Sequence, residues 1–583
     1  PRAGDSVYVP KGQNLLVDKD TPKLMAVVVE GALLFEDEKA LSFEAYHVVV
    51  KGGLMQAGTI EKPRRNPLLI TLYGKRTDVT LPRMGNKNIA VIDGRLELNG
   101  SPKTPTWTFL EASAKPGDTK ITLMESTNWA EGDQIVIAPS ANDRNQFEMR
   151  RIVAVNGKQL TLDAPLQFGH YADTLTVDGE QISVRCEVGV MTRNIKVFGD
   201  ESSDEDMYGA HIMLMGSSKL VKGRISYIEM RRCGQAFNMG RYPIHFHLVG
   251  NVPGSVVLGN SVYNSFNRAT TVHGVHFLRV AWNVYFGHKG HGVFIEDSVE
   301  TNNVIENNLI MRGEASSALL MSDLKPSGIW ITRPLNFIRG NSAVGCTHFG
   351  FWFELPPHPT GPSYTPLFCP DGESLLEFRG NIAHANGIGL RIYPTFIPRT
   401  NPCSAISDQK AADPFAANPP IEAVLRDGLL WANSQGFFGR NLGAVRLQNF
   451  TFIANSEQGA IAEPDNAPTG LAGVRDSLFI GDVDALRELG GAKSWVWFGL
   501  GRRDGLLLSN NRIYNFTGSA LLRTCEGCET ELHRGAGAYS SFLLNNTFVN
   551  VTPSVLIRFN NGNRSSDIII DQGEGLVSLR GTD

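Results

Sequence analysis

Short runs in which apolar and polar residues alternate dominate the chain. In residues 1–109, runs such as VVVEGALLFED, LSFEAYHVVVKGGLMQAGT and IAVIDGRLELNGSP break at single or paired glycines, which predicts strands with one buried face. Residues 112–170 change character to KPGDTKITL, WAEGDQIVIAPS and RRIVAVNGKQLTLDAPL. That pattern predicts a small barrel of hairpins, with Asn156-Gly157 as a two-residue turn and 142–148 as a surface loop.

From about residue 182 a longer period takes over. GNSVYNS at Asn260, WNVYFGH at Asn283 and ENNLIMR at Asn307 follow one another at 23 and 24 residues, and further copies occur at Asn341, Asn381, Asn511 and Asn546. One Asn-led strand per coil of roughly 20 to 25 residues predicts a right-handed parallel β-helix, in which each coil buries one rung and stacks its polar turn residue on the next. Leucine-rich repeats have a similar period but need a Leu spacing that is absent here; propeller blades need about 40 residues. The expected class is all-β: an N-terminal glycine-rich β domain over 1–110, a barrel-like insertion over 111–181 and parallel β-helix repeats over 182–583.

A second register aligns apolar triplets that end in a functional group: ATTVH at His273, GVFIE at Glu296, GIWIT at Thr332, GFWFE at Glu354, GLRIY at Tyr393 and GAIAE at Glu463. Strands about 4.8 Å apart would set these on one outer column. In the coil before, RYPIHFHL places His245 and His247 two apart, hence on one face. His247, His273 and Glu296 then fall on adjacent rungs. Ten of the 13 histidines lie between His211 and His384.

Such a column can hold a divalent metal, with His245, His247, His273 and Glu296 as ligands, and imidazoles favour zinc. It can equally supply acid and base groups for breaking a glycosidic bond, with His247, His273, Glu296 and Asp297 in those roles and His288, His291 and His348 nearby. Stacked Asn, His, Ser and Thr also serve simply to satisfy turn backbone groups. Arg241 and Arg268 suit an anionic sugar or a structural ion pair; Trp352, with Glu354, suits a sugar ring or the core. The acidic loop 200–206 is the place for calcium, which prefers oxygen ligands. The Pro-rich segment 356–370 can close over the column or pack on it.

Composition narrows the partners. A net charge of −4 offers no basic field for phosphates, which sets nucleic acid aside. Hydrophobic residues at 42% and 60 glycines suit a large core of strands and tight turns rather than disorder or helix bundles. No run of 18 apolar residues occurs, so membrane attachment is expected only through segments outside this sequence. The seven cysteines are few, but Cys369 with Cys403 and Cys525 with Cys528 are placed for disulfides; zinc is the rival for the second pair. Glycosylation acceptor motifs at Asn449, Asn515, Asn545, Asn550 and Asn563 cluster in the last quarter, as in a secreted or cell-surface chain.

The segments GRYPIHFHLVGN, SFNRATTVHGVH, GHGVFIEDSVETNN and THFGFWFELPPHPTGPS resemble the family that joins an extracellular eight-glycine domain to parallel β-helix repeats. This is the family of fibrocystin, fibrocystin-L, CEMIP and the cell-surface hyaluronidase, and the likeness is strongest to its fibrocystin-L branch. GHKGHGVFIED is also similar to the hyaluronan branch, with Glu296 and Asp297 at its acidic pair. The resemblance implies an extracellular or ciliary module that binds glycan, matrix or coat proteins. Its other branch implies a metal-dependent depolymerase of hyaluronan-like polysaccharide.

Overall fold

A computed structural model describes residues 1–481 except 178, 319–320, 405–414 and 465–470, and beyond them 483–484, 498–499, 506–516, 522–523, 539–551, 557–558 and 567–571. Its contacts divide into two bodies: residues 1–139, 146–296 and 300–329 form one, and 140–145, 297–299 and 330–583 the other.

In the first body each full coil gives one strand to each of three parallel sheets. One sheet stacks Leu68–Leu72, Ile195–Gly199, Ile228–Arg231, Ser261–Tyr263, Val284–Phe286 and Leu309–Met311. The second stacks Asn88–Ile92, His211–Met215, Ile244–Asn251, Thr270–His276 and Val293–Ile295. The third runs from Arg95–Asn99 through Lys222–Ser226, Val256–Leu258 and Arg279–Ala281 to Val304–Glu306. Inward residues such as Ile244, Phe246 and Val272 are fully buried, and their burial drives the stacking, since one coil alone cannot cover its apolar face.

The glycine-rich N-terminal stretch builds the opening coils of this same solenoid. Strand Leu41–Lys51 serves two sheets, pairing first with Leu68–Leu72 and then with Asn88–Ile92, and those two strands pair in turn with Ile195–Gly199 and His211–Met215. Between them lies the insertion, an antiparallel six-stranded sheet from Trp107–Phe109 to Glu187–Val190. It is anchored by Thr106 Oγ1 donating to the Trp282 carbonyl and Trp107 Nε1 donating 2.7 Å to that of Asn307. Its hairpin turn is Gly157-Lys158, because Asn156 already pairs with Gln159. Gly157 takes the positive φ of 60° that the first position of a type II′ turn needs. The end of the expected surface loop is buried: the Glu148 carboxylate accepts from the Gln167 and Phe168 amides and contacts His170 Nε2 at 3.1 Å.

Stacked asparagines close the corners between the third and first sheets. Asn260 donates through its amide and Nδ2 to Asn283 Oδ1 at 2.9 and 3.0 Å. Asn283 repeats the pattern on Asn308 at 3.1 and 2.9 Å. The ladder residue of the third copy is therefore Asn308. Asn307 takes the preceding left-handed corner, φ 52°, which Gly259 and Trp282 occupy in the coils before.

The second body repeats the three-sheet plan, for example with Phe349–Phe353, Ile388–Ile392, Gln435–Leu442 and Gln458–Pro464 in one sheet. Its ladders join Asn341 to Asn381 and Asn386 through Asn433 to Asn455. Cys369 and Cys403 form a disulfide, and Cys186, Cys233 and Cys346 are buried thiols. Asn449, Asn545 and Asn550 are exposed and Asn515 half-buried, all four at left-handed corners. Asn563, Cys525 and Cys528 lie outside the described residues.

Candidate functional site

The second sheet of the first body assembles the imidazoles. Its strands run in register, so His247 pairs directly with His273, and Val272 with Ile295, which sets Glu296 on the next rung. Alternation turns His245, His247 and His273 away from the core that Phe246 and Val272 fill. His245 and His273 are nonetheless buried, and His247 is half-exposed.

Donor atoms converge there. The three imidazoles can each offer a ring nitrogen within 4.8 Å of the others. His247 Nδ1 lies 3.1 Å from His273 Nδ1, His245 Nε2 lies 3.4 Å from the same atom, and Glu296 Oε2 is also 3.4 Å from it. The tautomer of His245 follows from its other contact. Its Nδ1 is 2.9 Å from the Gly240 carbonyl, which can only accept, so Nδ1 carries the proton and Nε2 presents a lone pair to the cluster. Burial, then the neighbouring His247 and His273, hold the His245 pKa well below the ordinary imidazole value. Two zinc–nitrogen bonds of about 2.0–2.1 Å at a tetrahedral angle separate their nitrogens by about 3.3 Å, close to the two spacings from His273 Nδ1. The three imidazoles therefore fit a transition metal, with Glu296 beside His273 as a carboxylate base.

Behind the cluster stands an orienting tier. The Tyr242 hydroxyl lies 3.5 Å from Glu296 Oε1 and 3.3 Å from Met239 Sδ and accepts from Arg268 Nη1 at 3.0 Å. Arg268 is itself fully buried, forked onto Asp323 at 3.0 and 2.7 Å and stacked 3.6 Å above the Phe294 ring. It cannot reach a ligand, so the substrate-orienting role expected of it gives way to a positioning role through Tyr242. His291 is likewise enclosed, with Nδ1 2.9 Å from Ser327 Oγ, and burial takes its pKa down to about 3. It too is structural rather than ligand-facing.

Arg241 is placed differently, its Nη2 donating 3.0 Å to the Arg83 carbonyl. It lines an open, polar hollow of about 290 Å³ together with Thr80, Tyr208, Gln235, Phe237 and Asn238. Met239 also lines it, and only the backbone at Gly240, whose carbonyl holds His245, separates Met239 from Arg241. Phe237 and Met239 are exposed. The hollow draws on segments near residues 80, 208 and 235–241, so no local sequence signal announces it.

Asp297, His348, Trp352 and Glu354 belong to the second body and the acidic loop 200–206 to the first. Asp297 is tied up, accepting from the Ser363 hydroxyl at 2.7 Å, while its backbone carbonyl takes the Thr360 amide at 2.9 Å. It anchors the 356–370 segment. Glu354 accepts 2.8 Å from Trp330 Nε1, Trp352 is buried, and His348 is half-buried against Phe349. In the acidic loop Asp200 is paired with Lys87 and Asp204 with Arg232, so these carboxylates already have cations.

Residues 1–111 match the G8 domain and 207–390 the CEMIP beta-helix. Fold and domain content together define a parallel β-helix protein of the G8 and CEMIP beta-helix family, and the chain belongs to that family. It is 33% identical over 537 residues to fibrocystin-L of Homo sapiens, a match spanning 83% of this chain and 12% of that protein. A G8 domain-containing protein of Dictyostelium discoideum is 29% identical over 428 residues, 67% of this chain and 28% of the relative. Among solved structures, the Siphovirus 9NA tailspike receptor binding domain aligns over 99% of this chain and 75% of its own with 11% identity and a TM-score of 0.33, too low to bear on function. No helix among the described residues is long and apolar enough to cross a membrane.

Proposed function

We propose that this chain is an extracellular module that holds a glycan against one face of its β-helix, as part of a cell-surface, matrix or coat assembly. The observation that carries this reading is the polar hollow at Arg241. The Arg241 guanidinium, one nitrogen of which holds the Arg83 carbonyl, the Asn238 amide, the Thr80 hydroxyl and the exposed Phe237 ring are groups of the kind that orient a sugar. The Cys369–Cys403 disulfide and the exposed acceptor asparagines support an oxidising, glycosylating compartment. Arg241→Ala is expected to weaken binding of hyaluronan fragments at least tenfold by calorimetric titration, with the unfolding temperature within a few degrees of wild type. Unchanged affinity would remove the hollow from the reading.

A second reading, metal-dependent depolymerisation of a hyaluronan-like chain, is favoured by the convergence of His245, His247, His273 and Glu296. A zinc ion held there would supply an activated water at neutral pH; Glu296, oriented by Tyr242, is placed to move its proton. Imidazole donors favour zinc over calcium, which prefers oxygen. Zinc added to metal-free protein is expected to bind at one equivalent per chain and to stabilise it by about 2.7 kcal/mol at a hundredfold excess over Kd. His247→Ala should abolish both effects. Equal zinc uptake by the variant would exclude the cluster as the metal centre.

A further inference from the structure

Among the described residues four arginines are buried, and all four have oxygen partners. Arg64 and Arg193 donate to backbone carbonyls, Arg268 forks onto Asp323, and Arg333 forks onto Glu373 at 2.7 and 2.6 Å. Arg391 is different. It lies half-buried on strand Ile388–Ile392, and Leu390 and Ile392 on either side point into the core, so its own side chain points out of it. Its Nε is buried with no hydrogen-bond partner, and the Glu354 carboxylate acts on it electrostatically without forming an ion pair among the described contacts.

What holds the guanidinium is aromatic. In-register pairing sets Trp352 on the rung to one side and Phe438 on the rung to the other. The guanidinium carbon stands 4.6 Å from the Phe349 ring centre, 5.1 Å from that of Trp352, 4.4 Å from Tyr393 and 5.9 Å from Phe438. Ring faces stabilise the cation through their quadrupoles but leave its N–H groups unused. A fixed, planar fork whose hydrogen-bonding capacity is unspent is pre-organised for an anionic oxygen group. Tyr393, half-exposed beside it, presents a face for a pyranose ring, and Glu354, fixed by the Trp330 indole, offers an acceptor for a sugar hydroxyl.

We infer that Arg391, with Tyr393 and Glu354, forms a subsite for an acidic sugar, its guanidinium, held by the buried Phe349 and Trp352 rings, taking the carboxylate and Tyr393 the sugar ring. The inference rests on the glycan-binding reading and concerns the second body by itself.

The test is titration with a hyaluronan hexasaccharide and its carboxyl-reduced counterpart, followed by tryptophan fluorescence, since Trp330 and Trp352 border the subsite. Wild-type protein is expected to show saturable quenching by the acidic hexasaccharide and at least tenfold weaker response to the reduced one. Arg391→Met should lose at least tenfold in affinity for the acidic form and little for the reduced form. If that variant does not fold, Arg391→Lys carries the test: it keeps the charge, loses the fork and is expected to bind at least fivefold more weakly. Wild-type affinity in a folded Arg391 variant, with binding lost in Arg241→Ala, would overturn the subsite and leave the glycan reading standing. Absence of binding of either sugar to wild-type protein would overturn both.

Discussion

Acidifying the protein from pH 6.5 to 4.5 is expected to remove about 7 kcal/mol of stability through three buried histidines, His211, His288 and His291. Burial takes their pKa values down to about 3, about 4 and about 3; the nearby Arg241 adds to the effect at His211. Their folded values are depressed, so between the folded value and the unfolded value of about 6.5 the unfolded chain binds the extra proton. Stability is therefore full above the unfolded pKa and lost as pH falls. Each histidine costs about 1 kcal/mol by pH 5.5 and about 2.3 kcal/mol by pH 4.5. Denaturant midpoints taken across this range should fall steeply below pH 6.5. A flat profile down to pH 5 would mean that these imidazoles are not enclosed as described. His211→Asn should flatten the curve by about a third.

The second large effect belongs to Asn283. Its Oδ1 accepts from the amide and Nδ2 of Asn260, and its Nδ2 donates to the Val257 carbonyl and to Asn308 Oδ1, all of it buried. Asn283→Ala would strand the Asn260 amide and the Val257 carbonyl away from water. At about 1–3 kcal/mol for each orphaned group the expected loss is about 4 kcal/mol. Asn307→Ala, at the neighbouring left-handed corner, should cost only about 1 kcal/mol, the conformational penalty of a residue with a Cβ and no local hydrogen bond. Chemical unfolding of the two variants side by side separates the roles. Equal losses would contradict the assignment of the ladder to 260, 283 and 308.

Those two positions show how far the sequence could be read. The coil period and the column His247, His273, Glu296 were legible, because one strand per coil in a parallel sheet keeps equivalent residues on one line. The corner was misplaced by one residue, since two adjacent asparagines carry no mark saying which turns the chain and which stacks. The same single-residue ambiguity moved the hairpin turn from Asn156-Gly157 to Gly157-Lys158. Residues 1–110 stand apart by their glycine spacing, and 1–111 match the G8 domain, while their strands join the sheets of the later coils. The pairing of Leu68–Leu72 with Ile195–Gly199 spans the whole insertion and leaves no local trace.

Roles were harder to read than places. Arg268 has the residue type of a sugar-binding group, but its partner Asp323 lies 55 residues on, and only the folded chain shows that the guanidinium is spent. Asp297 is likewise engaged by Ser363 from a distant segment. Arg391 carried the opposite signal: in GLRIY it interrupts an apolar strand, and its outward place between Trp352 and Phe438 appears only when the coils are stacked in register.

Incubation of the purified protein with hyaluronan and related glycosaminoglycans, with and without chelator and beside a His247→Ala, Glu296→Ala double variant, tests the central claim most directly. Chain length and co-migration with the protein are read together on a sizing column. The account predicts that glycan travels with the protein at full length. Glycan eluting free of the wild-type protein and uncut under every condition would contradict it.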